Sequence, residues 1–142
     1  MSPRLVGVCV AAGGFCGAVA VITGAFGAHA LKATLEATGQ AANWETASRY
    51  ALVHALALVT TGLVAALPGA ARGLRPLAAA AWCFAIGTAV FSGCLWALAL
   101  TGIRVLGAVV PVGGSLLVAG WVLLATAGMR LGEKADSAVA RR

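Results

Sequence analysis

The sequence predicts an all-α, polytopic membrane protein: four transmembrane helices in a compact bundle, with a short interfacial helix between the first and second spans. Composition is the first reason. Of 142 residues, 61% are hydrophobic and only 10% are charged, against roughly 25% charged in an average soluble domain. Four acids cannot clothe a water-soluble globule of this size, and the mean hydropathy is +0.98. Distribution is the second reason. The apolar residues fall into four long runs, and the basic residues behind the net charge of +6 stand singly between them. A nucleic-acid surface would instead gather its cations into a patch or stripe. A soluble enzyme, a nucleic-acid-binding domain and a disordered tail are therefore excluded. Residues 1–142 form a single integral membrane domain whose solvent is the lipid bilayer.

A span needs about 20 mostly apolar residues to cross about 30 Å of hydrocarbon. The first runs from Leu5 to about Ala28 with no charge. Arg4, this run and Ala28-His29-Ala30 resemble a signal peptide with its cleavage site, but a signal core has about 7–15 apolar residues, so a retained helix is the better reading. The first connector has structure of its own. Leu31 and Leu35 are four apart, as are Lys32 and Glu36, which fits a short amphipathic helix at the interface, ended by Gly39. Asn43 is placed to cap the next helix, with Glu45 in its first turn and Arg49 four residues on. Trp44 suits the headgroup belt.

The second span covers about 46–67 and stops at Pro68-Gly69; the third covers about 77–100 and the fourth about 106–129. A polar tail, 130–142, follows. Pro111 is expected in the first turn of the fourth span, where its missing N–H is harmless; an earlier helix start would instead make it a kink or break. One side of the membrane holds Arg4, Arg72, Arg75, Arg130, Lys134, Arg141 and Arg142, and the other holds Lys32, Arg49 and Arg104. Seven cations against three predict cytoplasmic N- and C-termini in a cell inner (plasma) membrane protein.

Glycine placement predicts helix packing. Gly13, Gly17, Gly24 and Gly27 draw a smooth stripe down the first helix, and Gly113 and Gly120 lie seven apart on the fourth. Such stripes let another backbone approach closely, within the monomer or in a partner.

Polar groups at membrane depth are costly and often functional. Tyr50, His54 and Thr61 share a face of the second span; Thr88, Ser92 and Trp96 share one on the third; Thr23 and Ser115 can also point inward. Two readings stand side by side. Either these groups form a polar seam, or each hydroxyl bonds its own i−4 carbonyl and His54 bonds one neighbour across a helix pair. His29 and His54 invite a metal reading, but counting about 1.5 Å per residue puts them about 10–15 Å apart in depth. No metal and no cofactor are expected. Cys9 and Cys16 share a face, as do Cys83 and Cys94, without a CxxC spacing, so they read as apolar fillers. The acids Glu36, Glu45, Glu133 and Asp136 all lie outside the spans, which disfavours a catalytic triad and a buried proton-carrying carboxylate.

These residues fall into ordered motifs. Gly24-Ala25-Phe26-Gly27-Ala28-His29 ends the first span, and Tyr50 with His54-Ala55-Leu56-Ala57-Leu58 opens the second. Phe91-Ser92-Gly93 begins a run to Leu100, and Pro111-Val112-Gly113-Gly114 leads to Ala119-Gly120-Trp121. Their order and spacing resemble the small membrane family catalogued as domain of unknown function 423, which includes the eukaryotic transmembrane-protein-256 group. The likeness runs from Leu5 to Met129. It implies a four-helix inner-membrane protein and raises His29, Tyr50 and His54 as a candidate site, while bringing no reaction, ligand or cofactor. Cys94 and Trp96 stand where the family pattern has serine and tyrosine, and Val110 where it has threonine, so hydroxyls are lost.

The function expected from these features is a non-catalytic accessory or oligomer-forming membrane subunit, partnered with itself or a larger membrane complex. The alternative is a small permease or channel using the polar seam around Tyr50 and His54.

Overall fold

The computed structural model describes residues 3–139, with the side chains of Pro3, Arg72 and residues 132–139 outside that description. Arg141 and Arg142 of the basic tail, and the Lys134 side chain, therefore lie outside the described residues. Five α-helices follow one another: α1 (Pro3–Ala28), α2 (Lys32–Ala37), α3 (Ala41–Ala66), α4 (Leu74–Thr101) and α5 (Val105–Val139). A single 3-10 turn, Ala70–Gly73, leads into α4. All except α2 contain a stretch long and apolar enough to cross a membrane.

Chain stops are built from glycine and proline. Gly39, Gly69 and Gly102 have φ of +66°, +87° and +70°, conformations that side chains with a Cβ rarely adopt. Gly39 ends α2, and Gly102 ends α4 with its N–H on the Leu98 carbonyl at 2.8 Å. Leu67 leaves α3 with extended dihedrals (φ −64°, ψ 146°), the conformation that the following Pro68 imposes. In α2, Leu35 is buried against Trp44 and Ala99 while Lys32 and Glu36 stay exposed, so this amphipathic turn lies across the end of the bundle.

Two boundaries differ from expectation. α3 begins at Ala41 rather than at an Asn43 cap; Gly39 lets the chain re-enter a helix at once. The Asn43 side chain, already inside the first turn, donates to Gln40 Oε1 at 2.8 Å. Pro111 lies inside α5 rather than in its first turn, because the helix starts at Val105, directly after the Gly102 stop. The Gly107 carbonyl is thereby deprived of its i+4 donor, a loss that membrane helices tolerate. Beyond the fourth span, the helix α5 continues into the polar tail as far as Val139.

The packing order follows the chain. α1 lies along α3, α3 along α4, and α4 along α5, while α1 and α5 make no sustained contact. The inner helices approach their neighbours closely because small residues face them. A Cβ at Gly13 would stand 2.7 Å from Val59 Cγ2 and 2.8 Å from the Ala55 carbonyl oxygen, and one at Gly62 would meet Cys9 Cβ at 2.9 Å. On the other side, a Cβ at Gly113 would lie 2.6 Å from the Phe91 amide nitrogen. Cys9, Leu58, Phe84 and Leu117 form the centre of the main core. Phe15, Leu56, Trp82 and Val118 point outward to where lipid would lie.

Candidate functional site

His54 is the one ionisable side chain buried among the described residues of the spans, apart from Cys9. It sits on α3 one turn after Tyr50, and α4 and α5 close around it. Its Nδ1 lies 2.8 Å from the Tyr50 carbonyl oxygen, and the Trp121 indole N–H donates to its Nε2 at 3.2 Å. The indole can only donate, so Nε2 is the acceptor and the ring proton belongs on Nδ1, pointing at the Tyr50 carbonyl. Both ring nitrogens are thus occupied, and neither offers a lone pair to a metal.

Aromatic rings pack around this imidazole. Tyr50 stacks on it at 5.8 Å and on Phe91 at 4.5 Å, while Phe84 meets Trp121 edge-on at 5.3 Å. Gly120 makes that edge contact possible, since a Cβ there would come within 2.6 Å of Phe84 Cε1. Beside the cluster a mostly apolar cleft of about 510 Å³ opens between α3 and α5, lined by Arg49, Tyr50, Val53, His54, Phe91 and Trp121 among others. Arg49 is held by Glu45 in an exposed i,i+4 ion pair.

A second polar group ties α1, α3 and α4 together near the α2 end. Trp44 Nε1 donates to the Thr23 carbonyl at 2.8 Å, Trp96 Nε1 donates to Ser48 Oγ at 3.2 Å, and Ser48 reaches Thr23 Oγ1 at 3.5 Å. Gly27 leaves the space that the Trp44 ring occupies.

The candidate residues do not converge. Tyr50 and His54 are together. Thr61, fully buried two turns further along α3, donates to the Ala57 carbonyl at 2.8 Å within its own helix. Ser92 crosses from α4 to the Ala47 carbonyl at 2.8 Å, and His29 is exposed in the turn after α1. Thr23 and Ser115 also bond carbonyls of their own helices, and Ser115 is exposed on α5 rather than turned inward. Among the described side chains, Thr88 Oγ1 alone is buried without a partner, beside a hollow of about 180 Å³ near Cys16 and Trp96. Of the glycines, Gly13, Gly17, Gly24 and Gly27 turn toward α3, and Gly113 and Gly120 toward α4. No group of three or more metal-ligating side chains occurs among the described residues, and all four cysteines are free.

Sequence reasoning missed Trp121, Phe84 and Phe91 as the walls around His54. Trp121 was visible only as the end of the Ala119-Gly120-Trp121 motif, 67 residues from its partner.

Four helices long and apolar enough to cross a membrane define a multi-pass, all-helical membrane protein. The chain belongs to the family described as "protein of unknown function (DUF423)", whose model matches residues 23–114. It is 39% identical over 112 residues to a UPF0382 membrane protein of Staphylococcus haemolyticus, covering 79% of this chain and 87% of that protein. It is 34% identical over 112 residues to the UPF0382 membrane protein YwdK of Bacillus subtilis, covering 79% and 88%. No solved structure matches the chain.

Proposed function

We propose that this protein is a non-catalytic subunit of the inner (plasma) membrane, with both termini cytoplasmic, that works by associating with itself or with a larger membrane complex. The observation that carries this reading is the fate of the polar groups. Thr23, Thr61 and Ser115 are spent on their own helices, Ser92 and His54 on helix–helix bonds, and Glu36 and Glu45 stay near the α2 end. Among the described side chains, nothing left over resembles an acid–base pair or a ligand set. The glycine stripe toward α3 is consumed inside the monomer, but α1 keeps a second one. Gly7, Ala11, Gly14 and Ala18 are all exposed, and a Cβ at Gly7 or Gly14 would meet nothing within 4 Å. Close helix approach in membranes favours such surfaces. Orientation rests on seven Lys and Arg on the side of the termini and second connector against three on the side of the first and third connectors.

The test is purification in mild detergent, with light scattering for mass and mass spectrometry for co-purifying chains. The reading expects an oligomer or a complex that Gly14→Leu disrupts without unfolding the monomer. A clean monomer with no companion overturns it. A second reading, a small permease or channel, is favoured by the cleft beside Tyr50 and His54. It requires flux in liposomes that His54→Leu abolishes; unchanged flux refutes it.

A further inference from the structure

We propose that the groove between α1 and α4, at the end of the bundle bearing the chain termini, binds one anionic phospholipid by its phosphate and one acyl chain. The inference is independent of the function proposed above.

The groove follows from the packing order. α1 and α4 both lean on α3 and hardly touch each other, so a furrow of about 380 Å³ remains between them. Val8 and Ala12 form one wall, Ala78, Trp82 and Ala85 the other, and Leu58 of α3 the floor. Alanines at the facing positions keep it open.

Its length fits one leaflet. Arg4 and Ala12 are eight residues apart on α1, about 12 Å at 1.5 Å per residue, close to half of the roughly 30 Å hydrocarbon thickness. An acyl chain entering beside Arg4 would therefore lie along the furrow down to the bilayer midplane.

Charge decides the occupant. Arg4 lines the mouth of the groove, and Arg75 is exposed one turn before Ala78 on the opposite wall. The residues that line the groove include no acid. A zwitterionic phospholipid would set an ammonium group beside the two guanidiniums of the groove mouth, which repel it. An anionic phospholipid with a glycerol headgroup brings only charge that the two guanidiniums complement, and basic pockets between membrane helices favour such headgroups. A second copy of the chain is disfavoured here, since a parallel two-fold contact would set Arg4 and Arg75 against their own counterparts.

Trp82, 68% exposed on the groove wall, is a built-in reporter. Chain-brominated phosphatidylglycerol and chain-brominated phosphatidylcholine are titrated separately into vesicles of unlabelled phosphatidylcholine containing the full chain. The Trp82 signal is isolated by subtracting a Trp82→Phe variant. The expected result is quenching at a lower mole fraction of phosphatidylglycerol than of phosphatidylcholine. Arg4→Gln lowers that preference about fivefold, the gain expected from one basic side chain at an anionic surface. Val8→Phe, which fills the groove from its exposed lip, weakens quenching by both lipids. Arg130→Gln on α5, at the same end but outside the groove, leaves the preference unchanged. Equal quenching by the two lipids overturns the proposal, as does a loss in Arg130→Gln as large as that in Arg4→Gln. Unchanged thermal unfolding of the variants confirms that each is folded.

Discussion

Three buried hydroxyls at similar cost in sequence should differ sharply in stability effect. Ser92 is fully buried and donates from α4 to the Ala47 carbonyl of α3 at 2.8 Å. Interhelical hydrogen bonds in membranes average about 0.6 kcal/mol and reach about 1.7. Ser92→Ala removes the bond and little volume, while the Ala47 carbonyl keeps its place in the α3 ladder, so a loss of about 1 kcal/mol is expected. Thr61 donates at 2.8 Å to Ala57 of its own helix. That bond survives when the helices separate, so Thr61→Val should change stability by under about 0.5 kcal/mol. Thr88 Oγ1 has no partner, and replacing the hydroxyl by a methyl of the same shape relieves an unpaired buried polar group. Thr88→Val should therefore be neutral or stabilising by up to about 1 kcal/mol. The assay is reversible unfolding in mixed micelles of mild detergent and dodecyl sulfate. Equal effects at the three positions, or a costly Thr88→Val with a harmless Ser92→Ala, would refute the hydrogen-bond assignment.

Other variants test the packing and the histidine cluster. Gly113→Ala drives a Cβ against the Phe91 backbone, which cannot rotate away, and should cost about 1–3 kcal/mol, whereas Gly93→Ala enters open space and should cost nothing. Both are read in the same unfolding assay. Trp121→Phe deprives His54 Nε2 of its donor and should destabilise, yet cost much less in a His54→Ala background; additive losses in this double-mutant cycle would deny the bond. Glu45→Gln breaks a pair whose side chains are 71% and 67% exposed, and should shift stability by less than about 0.5 kcal/mol, vanishing in salt.

The spans were legible because charge is absent across them and returns abruptly at the connectors. α2 was legible too, since Leu31 and Leu35 show a helical step before Gly39. The start of α3 was not, because Asn43 has a capping side chain whereas the deciding residue is Gly39, whose positive φ lets the chain turn back early. Pro111 misled in the same manner: its preference for a first turn is real, but Gly102 had already set the start of α5 six residues before it. Spacing along α1 exposed the Gly13 stripe but not Gly62, which faces Cys9 from the partner helix. At the candidate site, Tyr50 and His54 were visible as an i,i+4 pair. Trp121 was hidden, because contacts between distant segments leave no periodic trace in either one.

The four-span fold requires an even number of crossings, and site-directed thiol labelling tests the crossings directly. Single cysteines replace the exposed residues Thr38, Ala71, Ile103 and Arg130 in a cysteine-free chain and are treated with a membrane-impermeant maleimide in intact cells. Thr38 and Ile103 should react from one face of the membrane, and Ala71 and Arg130 only from the other. Labelling of Ala71 and Ile103 from the same face would contradict the four-span fold.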